Sequence, residues 1–175
     1  MNVLSLLKGG DRRTIGRADD VAAMVSKDPR LFPALIKGLW SSDPLVRMRA
    51  ADASEKVTRT NREFLKPYKK ELLGLMAETQ QQELRWHLAA MIPRLPLNAR
   101  ERQGAVCVME SYLEDRSSIV KTCALQGLAD LAQHDLSLRP KVIEILHASE
   151  RNGTPAMKAR SRKLLLLLET TVRYT

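Results

Sequence analysis

The sequence predicts an all-α protein, and three observations carry that prediction. Leu, Ala, Met, Lys, Arg and Glu dominate, while aromatics make up only 4% of 175 residues, a mix whose side chains lose little rotamer freedom in helices. A pattern of turn residue, proline, apolar-basic pair and small residues, first met at Asp43-Pro44-Leu45-Val46-Arg47-Met48-Arg49-Ala50-Ala51, returns three more times. The gaps between the helical patterns are short turns, as antiparallel neighbours require.

An apolar content of 44% suits one globular domain with a real core. No apolar run approaches the roughly 20 residues of a bilayer span, and the start lacks a long apolar segment followed by a small-residue cleavage site. A soluble, unprocessed chain without membrane contact is expected. Cys107 and Cys123 lie inside helical patterns with apolar flanks, which predicts buried free thiols and a reducing, cytoplasmic setting.

The net charge of +9 is uneven: residues 1–70 carry +7, residues 71–150 carry −3 and the last 25 residues carry +5. Basic ends attract nucleic acid or acidic protein, or simply keep a protein soluble.

Met1 to Gly16 mixes leucines with Gly9, Gly10, Arg12 and Arg13 without a sustained period, and reads as partly disordered. From Arg17 to Lys27, Asp19 and Asp20 suit a first turn, and Val21, Met24 and Val25 form a stripe. This is a capping helix. Asp28-Pro29 starts the next helix, with Leu31, Leu35, Ile36 and Leu39 on one face to about Trp40. After the turn Ser41-Ser42-Asp43, Pro44 opens its antiparallel partner, which carries Val46, Ala50, Ala53 and Val57.

With Arg47 as reference, the pattern returns at Arg85, Lys121 and Lys158, separations of 38, 36 and 37 residues. Four positions earlier stand Asp43, Gln81, Ser117 and Thr154, three of them good N-caps. One before the reference are Val46, Leu84, Val120 and Met157. Three after it are Ala50, Leu88, Ala124 and Ser161, and ten after it Val57, Leu95, Leu131 and Leu168. At about 100° per residue these share a stripe. Twelve before, in the preceding helix, are Leu35, Leu73, Met109 and Leu146. The boundaries that follow are a segment and capping helix at 1–28, hairpins at 29–60, 61–97, 98–134 and 135–170, and a tail at 171–175, all in a single domain. Stacked units of this length bury their apolar faces on one another as an α-solenoid.

The pattern Asp43-Pro44-Leu45-Val46-Arg47 and the alanines after it resemble the HEAT-repeat, armadillo-like family over roughly Pro29 to Glu169. Gln81 and Gln82 depart from it, replacing the capping acid and the proline. The resemblance implies a right-handed α–α superhelix of about four hairpins behind the capping helix. For function it implies a scaffold or adaptor, since that family is mostly noncatalytic.

The basic column Arg47, Arg85, Lys121 and Lys158 has two readings: phosphate binding, or bonding to the turn residues Ser41, Thr79, Asp115 and Asn152, as in proteins that look like this. The second helices' outer face, one, five and eight residues after the reference, lines the concave surface of a solenoid. It carries Met48, Asp52 and Glu55; Trp86, Ala90 and Pro93; Thr122, Gln126 and Ala129; and Ala159, Lys163 and Leu166. Trp86, with Arg49, Arg85, His87 and Arg94 around it, suits a base, a peptide or an apolar side chain, or else covers a junction between units. Trp40 reads as a packing residue. Leu164 to Leu168 is apolar all round and needs cover from the tail, a second copy of the chain or a partner.

No His-x-x-x-His, Cys-x-x-Cys or glycine-rich phosphate loop is present, so no catalytic residue, metal or cofactor is expected. Asp52 and Glu55 share a face but sit beside Lys56 and Arg59. The reading is a noncatalytic scaffold that binds a protein partner through Met48, Arg49, Asp52, Arg85, Trp86, His87, Arg94, Gln126 and Lys163. The alternative is a nucleic-acid binder using the basic residues around Trp86, or an enzyme similar to the alkylpurine DNA glycosylases, with only Trp86 and Asp52 as loosely placed groups. A homodimer through Leu164 to Leu168 is a further expectation.

Overall fold

The computed structural model describes residues 2–11 and 13–170, and all regular structure among them is helical, without a strand. The all-α expectation holds. The chain forms two compact units, one ending at Leu95 and the other beginning at Pro96.

The first unit opens with a 3₁₀ turn, Val3–Leu7, followed by a loop and helix α1 (Ala18–Lys27). The first arm of the first hairpin is a broken helix: 3₁₀ over Pro29–Leu31, α2 (Phe32–Ile36), then 3₁₀ again over Lys37–Trp40. Its second arm is α3 (Pro44–Thr58). The second hairpin runs from a 3₁₀ segment, Arg62–Tyr68, into α4 (Lys69–Glu78), then α5 (Gln82–Met91) and a 3₁₀ turn, Ile92–Arg94. Helix α3 is central, packed by α1, α2, α5 and the Val3–Leu7 turn. Ala50, Ala51 and Ala53 have no exposure, because small side chains let helix axes approach. Gly38 serves the same approach: a Cβ there would lie 2.6 Å from the Ala50 Cβ and 2.7 Å from Leu4 Cδ2.

The second unit contains α6 (Ala99–Tyr112), α7 (Ser118–His134), a 3₁₀ turn at Leu136–Leu138, α8 (Arg139–Asn152) and α9 (Pro155–Thr170). Asn98 and Glu101 close a capping box at the start of α6, which satisfies open backbone donors in both directions. Helix α7 packs against α6, α8 and α9, and α8 against α9.

Local chemistry explains the helix starts. Asp43 accepts from the Leu45 N–H at 2.8 Å, Ser117 from that of Val120 at 3.4 Å and Thr154 from that of Met157 at 3.3 Å, while Gln81 makes no such bond. The stripe one, three and ten positions from the reference is buried in all four hairpins, from Ser161 and Leu168 at 0% exposure to Met157 at 7%.

Several expectations are corrected. Among the described residues of the opening segment, Val3 and Leu7 are fully buried, and the loop after them closes around Arg49. Leu73 is only half-buried, and Leu72 and Met76 take its place in the core, since the 3₁₀ segment before α4 turns three residues per turn and shifts the phase. Trp40 is 45% exposed rather than packed. Cys107 is exposed and Cys123 half-buried, and neither is in a disulfide. In α9, Leu164, Leu165 and Leu168 are buried whereas Leu166 and Leu167 are exposed; the tail suggested as their cover lies outside the described residues. No helix among the described residues is long and apolar enough to cross a membrane.

Candidate functional site

The reference column ties each turn to its own hairpin in the first unit. Arg47 Nη1 donates to the Ser41 carbonyl at 2.7 Å and Nε to Gln81 Oε1 at 2.7 Å. Arg85 Nε donates to the Thr79 carbonyl at 2.9 Å and Nη2 to Gln80 Oε1 at 2.5 Å. These are the turn bonds that the resemblance implied. Neither Lys121 nor Lys158 makes one.

The residues proposed to line one surface separate. Met48 is buried at 8% exposure and Arg49 at 2%. The Arg49 guanidinium does not flank Trp86; it turns to the N-terminal loop, donating to the carbonyls of Leu7 (2.9 Å), Gly9 (2.6 Å), Asp11 (3.0 Å) and Thr14 (3.3 Å). Arg85 is held at its turn. Gln126 and Lys163 belong to the second unit, where Gln126 donates to Asp130 at 2.8 Å and accepts from Arg160 Nη1 at 2.6 Å, and Lys163 is exposed.

What does come together in the first unit is a seam of paired charges across α1, α3 and α5. Lys56 reaches Asp19 at 2.5 Å and Asp52 at 2.7 Å. Burial works against its charge, but the two carboxylates outweigh it and raise its pKa. Glu55 accepts from Arg59, at 2.6 Å, and from Arg94, which also donates to the Glu55 carbonyl and to Thr58 Oγ1. Burial opposes the charge of Glu55, yet the two guanidinium groups hold its carboxyl below the ordinary range. His87 lies 4.0 Å from Asp52 with its side chain 13% exposed. Burial pushes its pKa down to about 4, against the pull of Asp52 and Glu55, because the charged imidazolium loses its water. The His87 ring meets the half-buried Trp86 edge-on, centroids 5.7 Å apart.

A rule hidden in the sequence emerges here. The side chain two positions after the reference reaches back to the one five after it in the preceding hairpin: His87 to Asp52, and Arg160 to Gln126. Reading single columns could not expose it, since the link pairs different columns. Lys56 and Arg59 pair with Asp52 and Glu55 as their helix spacing suggested, whereas Asp19 was missed as a member of the seam.

The second unit holds an open cleft of about 400 Å³ between the turns of its two hairpins, floored by Leu113, Ile145 and Met157 and rimmed by Glu114, Lys121 and Asn152. Sequence reasoning placed Lys121 in the basic column, read either as phosphate-binding or as bonded to its turn, and Asn152 as a turn residue. Among the described residues no group of three or more His, Cys, Asp or Glu side chains is arranged to hold a metal ion. No protein-family model matches the chain, and no curated protein or solved structure matches it.

Proposed function

We propose that the chain is a noncatalytic helical-repeat scaffold, HEAT-like in its hairpins, that binds a protein partner through the face of the first unit's second helices, α3 and α5, centred on Trp86. The observation that carries this reading is the state of the cations on and around the second helices of the first unit. Arg49, Arg85 and Arg94 donate to the protein's own carbonyls, side-chain amides and carboxylates, and Lys56 and Arg59 are matched by Asp19, Asp52 and Glu55. A polyanion needs cations free to replace its counterions. A charge-balanced surface with a half-buried indole suits a protein partner instead, for aromatic anchors in partly desolvated settings dominate such interfaces. The repeat spacing supports the stacked architecture, and two cysteines outside any disulfide suit a reducing, cytoplasmic compartment.

The test is capture of partners from native lysate by the wild-type chain and by Trp86→Ala. Loss of at least one partner with the variant, its fold verified by circular dichroism, is expected. Retention of every partner counts against this face.

A further inference from the structure

One register position behaves differently in the two units. In the first, the Arg47 fork closes the seam between hairpins: it donates to Ser41 and Ser42 of its own turn and to Gln81 of the next hairpin, and Gln81 donates back to the Pro44 carbonyl at 2.9 Å. The same positions in the second unit hold Lys121 and Thr154. An ammonium lacks the fork, and the Thr154 hydroxyl is already engaged with Ser118 at 2.9 Å and with the Met157 N–H. No bridge forms, and the seam stays open as the 400 Å³ cleft. Around its apolar floor the Lys121 ammonium, the Glu114 carboxylate and the Asn152 amide have no side-chain bond to any described residue.

We propose that this cleft binds the C-terminal end of a peptide: an apolar last residue whose free α-carboxylate is received by Lys121. The inference rests on the protein-partner reading but not on the face around Trp86. A half-buried lysine beside an aliphatic floor suits a ligand that delivers a negative charge and a hydrocarbon group from neighbouring atoms. In a terminal residue both leave the same Cα, so they enter together. Asn152 offers one acceptor and two donors, the complement of the peptide group just upstream. Glu114 repels a second negative charge, which disfavours an acidic run and leaves a single terminal carboxylate as the fitting anion. The volume lies at the small end of ligand sites, roughly 300–1,000 Å³, as a chain end requires.

The experiment titrates the ¹⁵N-labelled full chain with acetyl-Ala-Ala-Leu, either as the free acid or as its C-terminal amide. The acid should shift the backbone resonances of Leu113, Lys121, Gly153 and Thr154. The amide should bind about fivefold more weakly, the scale of one half-exposed ion pair. Lys121→Met keeps the aliphatic stem, and should bring the acid down to the affinity of the amide while leaving distant resonances unmoved. Equal binding of the two peptides, or unchanged affinity in the variant, overturns the assignment. So do shifts confined to α3 and α5, or no shifts at all while partner capture through Trp86 succeeds; those two outcomes leave the scaffold reading standing. Acetate alone reproducing the acid's shifts at equal concentration reduces the cleft to a simple anion site and overturns the proposal as well.

Discussion

Arg49 is a guanidinium at 2% exposure whose partners are backbone carbonyls and not a carboxylate. Several aligned carbonyl dipoles replace its water, and in return the N-terminal loop acquires a fixed path. Gly16 belongs to the same device: its φ is +54°, and a Cβ would lie 2.6 Å from Arg49 Cζ. Arg49→Met should therefore cost about 2–4 kcal/mol, since it orphans several acceptors at once. Denaturant unfolding measures that loss, and hydrogen exchange should show the amides of 3–16 losing protection before those of α3. Equal protection in variant and wild type would mean that the loop is held by its leucines alone. Ser161 is the opposite case, fully buried with a hydroxyl that has no partner. The equivalent positions in the first and third hairpins are Ala50 and Ala124. Ser161→Ala should stabilise by up to about 1 kcal/mol, read as a higher denaturation midpoint with an unchanged m-value.

At the scale of elements, the α3–α5 pair is held by apolar packing and by the charged seam above it, and the two respond differently to acid. The unfolded chain takes up a proton on His87 near pH 6.5, the folded protein only near 4. Within that window protonation favours the unfolded state, so stability falls as the pH drops, by on the order of 3 kcal/mol once pH 4 is reached. Glu55 shifts in the same direction for a different reason, its paired guanidinium groups: its folded pKa lies below the unfolded 4.5, so its contribution is present above 4.5 and is lost as the pH falls through the folded value. Unfolding free energies measured from pH 7.5 to 3.5 should show both losses in wild type. His87→Gln should be flat between 6.5 and 4.5 and decline only below. A variant that follows the wild-type slope across the upper window would assign that slope to another group.

Across the whole molecule, what was legible in the sequence had local causes. The spacing of 38, 36 and 37 residues located the hairpins because N-caps and first-turn prolines act within a few residues of themselves. Arg49 escaped because its acceptors are backbone carbonyls 35 to 42 residues away, which leave no letter in the sequence. Trp40 was misjudged because 3₁₀ turns on both sides of α2 reset the phase that a 3.6-residue wheel assumes. The bonding of Arg49, Arg85 and Arg94 was not legible, since composition counts cations without showing which are already bonded. That distinction decides how the net charge of +9 expresses itself. Single-stranded DNA should bind only weakly at about 50 mM salt and be released by about 200 mM, as for a diffuse positive field acting without dedicated phosphate contacts. Arg85→Ala should leave the low-salt affinity unchanged in a fluorescence anisotropy titration, because that guanidinium is held by Thr79 and Gln80. Trp86→Ala should do the same while losing a protein partner. If Trp86→Ala instead weakened DNA binding severalfold at constant salt, the indole would be stacking bases, and the face around α3 and α5 would belong to nucleic acid.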